Sequence, residues 1–330
     1  MFPLICLALS SVATSSAEQR FATFKARYGR SYTSAAEESR RLTIFRANLD
    51  FISQENAKGL TYTLGIGPFA DLTEAEFIRK YTGRPTTETQ LVDEHHLGEH
   101  DAAKVAPRSM DWTSEGAVTP VKDQGSCGSC WSFSSTGVLE GAYAVKTGTL
   151  LSLSEQELVD CMMVNKTTGV GKGCGGGWPY NAMKYAASND FCTEDSYPYT
   201  AKDGKCALEQ GCTVGLKAGT VRGYVNVPKN ESGLVSAVGQ LPVSITVKAE
   251  KNMQHYKSGV LSVPCNGSSI NHAVLAVGYG FDSVNRTSYY KVKNSWGVSY
   301  GDGGYFKMAR DDGVNSNCLY NDSPVYPVLA

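Results

Sequence analysis

The chain has 330 residues, of which 42% are hydrophobic, and a formal net charge of −1. This length is enough for one large domain or two moderate domains with a substantial core. The near-zero charge and the absence of a long run of Lys or Arg give no electrostatic reason to expect nucleic acid as a partner. No stretch approaches the roughly 18 consecutive apolar residues that a membrane-spanning helix needs.

The N-terminal segment begins with an apolar run from Met1 to Leu9, which is too short to span a bilayer. Small residues follow up to Ala17, and a charged sequence begins at Glu18. This order is typical of a secretory signal peptide, so we predict a signal over residues 1–17 that is cleaved near Ala17. A buried N-terminal strand is the alternative.

The next region, residues 18 to about 84, has the periodicity of α-helices. Phe21, Phe24 and Tyr28 recur at helical spacing, and a longer stripe follows in steps of three and four residues. These positions are predicted to lie on one face of a single helix. The first two residues of the stripe, Glu37 and Arg41, are spaced for an ion pair. The stripe consists of Glu37, Arg41, Ile44, Phe45, Asn48, Ile52 and Asn56.

Residues 85–105 lose this periodicity and are rich in threonine, acidic residues and histidine, including His95, His96 and His100. Such a composition cannot bury enough apolar surface to fold alone, so we predict an exposed linker. Exposed linkers are preferred sites of proteolytic cleavage. We therefore place a boundary near Ala106, between an N-terminal region over 18–105 and a second domain over 106–330.

The second domain changes from helices to strands along the chain. Helical runs over 130–145 and 153–161 come first. Runs typical of strands follow at 242–247, 273–277, 289–293 and 304–308. Helices first and strands later predict an α+β arrangement in two lobes.

The cysteines point to one special thiol. Ten cysteines fit an oxidising compartment, and removal of Cys6 with the predicted signal leaves an odd number, so one stays free if the others pair. Cys130 follows a Gly- and Ser-rich loop and should begin a helix, where unpaired N–H groups and the helix dipole favour the thiolate. Cys127 could then be tied into a disulfide. A redox dithiol or half a zinc site is the alternative, but a second Cys-x-x-Cys and the strand that precedes a thioredoxin-type motif are missing.

A nucleophilic thiolate needs a nearby imidazole, and only five histidines are present. Three lie in the predicted linker, which leaves His255 and His272. His255 lies in a polar stretch and is expected to be exposed. His272 opens a predicted strand, a rigid element from which to aim an imidazole, so we predict it as the base, with a structural histidine as the alternative.

Two amides complete the candidate constellation. Asn294 follows a predicted strand and could orient the imidazole as the third member of a triad, with Trp296 shielding that bond from water. Gln124, six residues before Cys130, could join the Cys130 N–H in an oxyanion hole. Considered alone, Asn294 could equally belong to a turn, and Gln124 could equally be a surface amide.

Together these segments resemble the papain-like cysteine peptidases, from Phe21 to the C-terminus. The Cys-Gly-Ser-Cys-Trp sequence that ends at Trp131 matches that family's signature. The helix stripe and the motif residues Gly65, Phe69 and Asp71 resemble the prosegment of the cathepsin L-type branch, with Gly67 where Asn is usual. The resemblance implies a two-lobed α+β fold, with a helical left lobe and a β-barrel-like right lobe. It also implies a helical inhibitory prosegment that runs through the cleft in reverse.

The resemblance also implies how the cysteines pair and which residues line the cleft. The implied bridges are Cys127–Cys174, Cys161–Cys206 and Cys265–Cys318; Cys192 and Cys212 could form a fourth, while an exchange of Cys212 with Cys206 stays open. Gly176 and Gly177 would offer backbone groups to an extended peptide. The pocket for the second residue before the scissile bond would contain Trp178, Pro179, Thr246, Ile270, Ala273 and Ser323, next to Asn271 and Trp296.

Three positions depart from the pattern of the family or of some of its members, and the one at Asn271 is expected to leave catalysis intact. Ser323 stands where some relatives carry Glu, so we expect an apolar residue to be preferred over Arg in that pocket. Asn271 replaces an Asp of some members, and Tyr300 stands where a second Trp is usual. The loop between Cys161 and Cys174 lacks the His pair of carboxydipeptidase relatives, which favours an endopeptidase.

We therefore predict a cysteine endopeptidase zymogen of the secretory pathway, exported or held in a lysosome-like acidic compartment. It would act as a monomer on proteins and peptides, with its own prosegment as inhibitor and without metal or cofactor. Acid would loosen the His-rich linker, since histidines gain and carboxylates lose charge. A catalytically silent binding or storage relative is the alternative. Glycosylation sequons begin at Asn165, Asn230, Asn266, Asn285 and Asn321.

Overall fold

The computed structural model describes residues 16–83, 93–162, 171–267, 269–310, 316–322 and 324–330. The N-terminal region contains α1 (Ala17–Tyr28), α2 (Ala35–Asn56), β1 (Tyr62–Leu64), α3 (Glu74–Tyr81) and β2 (His96–Glu99). The second domain begins with β3 (Met110–Asp111), α4 (Cys130–Thr147), α5 (Glu155–Cys161), α6 (Pro179–Ser188), β4 (Phe191–Cys192) and β5 (Val214–Leu216). It continues with β6 (Val221–Asn226), α7 (Glu231–Val238), β7 (Val243–Val247), α8 (Lys251–Gln254), β8 (Tyr256–Leu261), β9 (His272–Asp282), β10 (Thr287–Lys293), β11 (Tyr305–Arg310) and β12 (Val325–Leu329).

The second domain has two lobes that meet along α4. The helical lobe packs α4, α5 and α6 around a core that includes Trp131, Leu139 and Leu158. The other lobe is a mixed sheet in the order β8-β11-β10-β9-β7-β12-β6, with β3 on β9. Strands β1 and β2 of the N-terminal region extend this sheet at its two ends, beside β8 and β6. At Gly137 of α4 a Cβ would lie 2.9 Å from the Leu275 side chain, so glycine permits the close approach of α4 to β9. The predicted two-lobed α+β fold with a helical prosegment is confirmed.

The stripe of the N-terminal region lies on the single helix α2, as its spacing predicts. Arg41 is nearly buried and binds Glu37 at 2.6 Å and Glu76 of α3 at 2.9 Å. The Asn48 amide donates to the carbonyls of Ala70 and Leu72, both at 2.9 Å. These polar contacts tie α2 to the segment that leads into α3, because each buried donor finds an acceptor there.

Helix α1 packs on α2 through Phe21, Phe24 and Phe45, whose rings lie 5–6 Å apart. The helix begins at Ala17, and the Ser16 hydroxyl accepts the N–H of Gln19 as its N-cap. Cleavage after Ala17 would remove this cap. Residues 1–15 of the predicted signal lie outside the described residues.

The expectation of an exposed linker is only partly right: much of 93–105 is exposed, but His100 is buried and β2 pairs with the second domain. β2 adds parallel to β6, and the buried His100 ring contacts the hydroxyls of Tyr326 at 2.8 Å and Ser236 at 2.9 Å. The Asp93 carboxylate accepts from Tyr224 at 2.6 Å. Composition misses these contacts because the partners belong to distant elements of the second domain. Residues 101–105 are exposed, directly before the predicted boundary.

Four disulfides join Cys127–Cys174, Cys161–Cys206, Cys192–Cys212 and Cys265–Cys318. These are the pairs that the resemblance implies, together with a bridge between the two cysteines left over. Cys130 is the free cysteine of the described residues. Within the same part of the chain, none of the helices combines the length and apolar character needed to cross a membrane.

His255 is buried, with 0% exposure, so the expectation of an exposed side chain is wrong. It lies between α8 and β8, where the prosegment covers it. The Phe51 ring of α2 is 6.2 Å from the imidazole, and Gly65 donates its N–H to the His255 carbonyl at 2.8 Å. Neither ring nitrogen has a hydrogen-bond partner among the described residues. Burial, helped by the nearby Lys251, lowers the pKa of His255 to about 3.

Acid should therefore weaken the folded precursor through His255. The unfolded chain takes up this proton near pH 6.5 but the folded chain only near pH 3, so stability falls as pH decreases through that window. The slope is about 1.4 kcal/mol per pH unit for one proton. In a Cys130→Ala precursor, which would not process itself, His255→Leu should make the urea-unfolding free energy less dependent on pH between 6 and 4. His96→Gln, at an exposed histidine, should keep the original slope; equal slopes in all three proteins would contradict this assignment.

Candidate active site

The site is built where α4 meets β9. Cys130 is the first residue of α4 and is 2% exposed, which agrees with its predicted place at a helix N-terminus. The N–H of Ala273, the second residue of β9, points at the Cys130 sulfur over 3.5 Å. His272, which begins β9, therefore lies next to the thiol.

The His272 imidazole is held from two sides. Its Nε2 lies 2.8 Å from Oδ1 of Asn294, and that oxygen also accepts the N–H of Ser295 at 2.8 Å. The Trp296 ring stacks on the imidazole, with the centroids 4.5 Å apart and the planes at 20°. Nδ1 is buried and has no hydrogen-bond partner in the described part of the chain. This nitrogen is the one left for proton exchange with a thiol or a substrate.

Gln124 is fixed so that its amide nitrogen faces the cleft. Its Oε1 accepts the hydroxyl of Ser295 at 2.5 Å, and its Nε2 donates to the carbonyls of Cys127 at 2.8 Å and Tyr81 at 3.2 Å. The backbones join as well, since the Gln124 N–H donates to the Ser295 carbonyl. Sequence reasoning missed Ser295, although it directly follows Asn294.

The prosegment covers this site at the end of α3. The Tyr81 carbonyl accepts from Gln124 and also from Nε1 of Trp296 at 3.0 Å. At Gly83 an added Cβ would lie 2.7 Å from the Gly128 carbonyl and 3.2 Å from the Cys130 sulfur. The chain thus passes directly over the thiol, and a peptide carbonyl already lies against two donors of the cleft. Sequence reasoning did not identify Gly83; its place near the end of the predicted helical region, just before the linker, was the available signal.

Gly176 and Gly177, which are predicted to offer backbone groups to a peptide, lie in a short antiparallel ladder. The Lys172 N–H donates to the Gly176 carbonyl, and Gly171 pairs with Gly177 across an antiparallel bridge. In such a non-hydrogen-bonded pair, the N–H and C=O of Gly177 point away from its partner and toward an added strand. A Cβ at Gly177 would lie 2.6 Å from the Trp131 ring, so glycine is needed there.

The remaining predicted cleft residues are distributed as follows. Thr246 and Ala273 face each other on β7 and β9 and are both buried. Pro179 begins α6, and the Trp178 ring before it stacks on Tyr180 at 5.8 Å. Ile270 is half-buried before β9. Ser323 lies outside the described residues.

The Asn271 side chain is held by the backbone of Ala249 and does not extend freely into the cleft. Its Oδ1 accepts the N–H of Ala249 at 2.7 Å, and its Nδ2 donates to the Ala249 carbonyl at 3.0 Å. Both ends of the amide are thus used on one residue of the main chain. Asn271 anchors the start of β9, on which His272 is mounted.

Buried charges behind the site hold α4 in place. Lys122 binds Glu155 at 2.7 Å and Glu140 of α4 at 3.5 Å. Glu140 also accepts from Thr119 at 2.7 Å. Burial by itself would lower the pKa of Lys122, but the adjacent carboxylates of Glu140 and Glu155 raise it above its usual range. The lysine therefore stays charged.

In the covered site the charged forms of Cys130 and His272 are disfavoured. Burial raises the pKa of the Cys130 thiol, although N–H groups from Ala273, Gly83 and Trp131 oppose that shift. Burial also lowers the pKa of His272 to about 4, while the hydrogen bond to Asn294 acts in the other direction. Among the described residues no group of three or more His, Cys, Asp or Glu side chains could hold a metal ion.

Comparison with known proteins agrees with this arrangement. Residues 106–328 match the papain family cysteine protease domain, and residues 21–77 match the cathepsin propeptide inhibitor domain. The chain belongs to the papain family. It is a cysteine peptidase with its inhibitory propeptide attached.

Relatives and solved structures span nearly the whole chain. Digestive cysteine proteinase 2 of Homarus americanus is 40% identical, covering 98% of both chains. Thiol protease aleurain of Arabidopsis thaliana is 44% identical, covering 94% of this chain and 84% of that protein. Among structures, digestive procathepsin L 3 from the larval midgut of Tenebrio molitor has a TM-score of 0.83 and 34% identity, covering 96% of this chain and 100% of the other.

Gly83→Ala should loosen the prosegment. The φ of Gly83 lies outside the left-handed region, so alanine fits the backbone and its effect comes from the 2.7 Å approach to Gly128. Overpacking of this kind costs about 1–3 kcal/mol. The open fraction of the intact precursor should rise roughly 5- to 150-fold.

The readout is the rate at which a thiol-directed epoxide labels Cys130 in the uncleaved precursor at neutral pH. Gly67→Ala is the matched control, because its Cβ would meet only the Gln254 carbonyl at 3.9 Å. If Gly83→Ala labels no faster than Gly67→Ala, this segment does not control access to the thiol.

Proposed function

We propose that the protein is a secretory-pathway cysteine endopeptidase in which Cys130, His272 and Asn294 form the catalytic triad. One observation carries the proposal. The free thiol lies at a helix N-terminus beside a histidine whose far nitrogen is bonded to Asn294 at 2.8 Å, and a prosegment carbonyl lies against Gln124. A nucleophile, an oriented base and an amide donor therefore converge where an extended chain lies.

The chemistry follows from these positions. The Cys130 sulfur attacks the peptide carbonyl carbon, and the Cys130 N–H and Gln124 Nε2 stabilise the oxyanion. His272 gives its proton to the leaving amine as the C–N bond breaks, which leaves a thioester on Cys130. His272 then takes a proton from water, whose oxygen attacks the thioester. The C–S bond breaks, the acid is released, and the thiolate–imidazolium pair is restored. Asn294 holds the ring, with Oδ1 accepting from Nε2–H throughout.

Removal of the prosegment would convert a neutral pair into an ion pair. While Gly83 covers the thiol, burial disfavours both thiolate and imidazolium. Opening admits water, and the positive end of α4 and the neighbouring N–H groups then favour thiolate next to imidazolium. Cleavage within the exposed residues 101–105 would release the prosegment.

Cys130→Ala should abolish peptide hydrolysis and leave peptide binding. Each precursor is matured in trans with an aspartic peptidase, which thiol inhibitors do not affect, and hydrolysis of a fluorogenic peptide is then measured. Wild type should be labelled one-to-one by an epoxide inhibitor at Cys130, and the variant should not be labelled. Wild-type protein that takes up no label and cuts no peptide would instead be a silent binding or storage relative.

The pocket beside Ala273 should accept an apolar residue two positions before the scissile bond. Thr246 and Ala273 bring no charge, and an Arg side chain buried without a partner loses several kcal/mol. Peptides that differ only there should show kcat/KM at least about tenfold higher for Leu or Phe than for Arg. Ser323→Glu should reduce the difference in kcat/KM between the Leu or Phe peptides and the Arg peptide. If the wild type instead favours the Arg peptide, the assignment of the pocket is refuted.

The remaining proposals concern location and processing. Ten cysteines with four bridges fit passage through an oxidising compartment, to which a signal over residues 1–17 would direct the chain. The mature enzyme over 106–330 would act as a monomer outside the cell or in a lysosome-like compartment. Asn285 starts a sequon in the turn between β9 and β10 and is a candidate for glycosylation, whereas Asn165 lies outside the described residues.

A further inference from the structure

Tyr300 lies directly behind the candidate triad. Its side chain is 1% exposed, and its ring meets Trp296 edge-on, with the centroids 4.8 Å apart and the planes at 88°. Trp296 in turn stacks on His272. Tyr300 therefore forms the second layer of the wall against which the imidazole rests.

The backbone brings Tyr300 close to Asn294. The Asn294 N–H donates to the Gly304 carbonyl at 3.1 Å, and the Gly304 N–H donates to the Tyr300 carbonyl at 2.7 Å. Gly304 thus connects the backbone at Asn294 to the backbone at Tyr300. The close approach depends on Gly304, whose φ of +91° lies in the region that favours glycine and whose Cβ would lie 2.5 Å from Val121.

Two buried polar atoms are left over at this place. Oδ1 of Asn294 is satisfied by His272 and Ser295, but Nδ2 has no partner in good hydrogen-bond geometry among the described residues. The same holds for the hydroxyl of Tyr300. Leaving such atoms unpaired in a protein interior costs about 1–3 kcal/mol each, which favours a contact between them.

The two atoms are chemically complementary. An amide nitrogen can only donate, and a phenol oxygen can accept. Burial raises the pKa of Tyr300 well above its ordinary range, with a contribution from Tyr256, while the Asn294 side chain acts in the opposite direction. The phenol is therefore neutral and keeps an oxygen that can accept a hydrogen bond.

We propose that Tyr300 is a positioning residue for the triad: its hydroxyl accepts a hydrogen bond from Nδ2 of Asn294 and so keeps Oδ1 turned toward His272. The inference rests on the proposed roles of Asn294 and His272. Without this acceptor the amide could rotate, and its N–H₂ group would then face the N–H groups of His272 and Ser295. Donors would oppose donors, and the imidazolium would lose the hydrogen bond that stabilises it. The tryptophan usual at this position carries only an N–H donor and could not take this role.

The first test is Tyr300→Phe in the matured enzyme, with rates normalised to active sites counted by an epoxide inhibitor. We expect kcat to fall about three- to tenfold, with KM for a small peptide unchanged within about twofold, since one neutral hydrogen bond is removed. The upper pH limb of kcat/KM should move down by about 0.3–1 pH unit, because the Asn294 hydrogen bond raises the pKa of His272. Tyr256→Phe is the matched control: it is a buried neighbour whose hydroxyl donates to the Gly259 carbonyl, and it should change neither readout.

A double-mutant cycle separates positioning from packing. Asn294→Ala should by itself reduce kcat about 10- to 100-fold, and Tyr300→Phe should then cost less than twofold more. A loss of the same factor in both backgrounds would show that Tyr300 acts independently of Asn294. An unchanged kcat in Tyr300→Phe would likewise overturn the proposal.

Tyr300→Trp provides the second variant. It fills the space with the residue usual in the family but offers no acceptor, so it should be impaired like Tyr300→Phe. Full activity of this variant would mean that ring packing matters and the hydroxyl does not. If Asn294→Ala has no effect on kcat, the proposed triad fails first; if it is costly while Tyr300→Phe is neutral or additive, only the role of Tyr300 fails.

Discussion

The contact between the N-terminus of α4 and the start of β9 is the constraint on which the site depends. It places the Cys130 sulfur 3.5 Å from the Ala273 N–H, and hence beside His272. The contact is secured deep in the protein, where glycine on α4 admits the Leu275 side chain and Glu140 compensates Lys122. Removing one partner of such a buried ion pair leaves an uncompensated charge, typically at a cost of about 3–5 kcal/mol. The junction of the lobes therefore combines a close helix–strand contact, a buried ion pair, and the place where Cys130 and His272 meet.

The prosegment uses the same junction. Its own order comes from α2, where Arg41 and Glu76 link the long helix to α3, and α3 then delivers Tyr81 and Gly83 to the cleft. The inhibitory segment thus contacts the amide donor and the thiol with main-chain atoms, which any peptide also possesses. Because the contacts use backbone atoms, the inhibitory segment needs no particular side chain over Cys130. It needs a small residue there, Gly83, and a rigid helix, α3, that positions this residue.

Local patterns in the sequence predicted the parts of the molecule that are locally determined. The stripe on α2 reports helix periodicity, and the loop before Cys130 reports a helix start, so both were predictable from short segments. His255 was not, since a polar neighbourhood says nothing about Phe51 covering it from another region of the chain. The strand β2 was missed for the same reason, because its pairing partner β6 lies far away in sequence. The resemblance to a known family supplied the long-range pairs, such as the disulfides, that residue patterns left open.

Burial of two histidines links inhibition to release. The covered state holds His255 and His272 neutral, because burial lowers their pKa values to about 3 and about 4. His255 binds a proton from solution more readily once exposed, so falling pH favours the open state over the covered one. Under the proposed mechanism, His272 instead receives its proton from the Cys130 thiol on opening, so formation of the thiolate–imidazolium pair takes up no net proton. Desolvation of His272 therefore keeps the covered enzyme silent, while desolvation of His255 makes its release sensitive to acid.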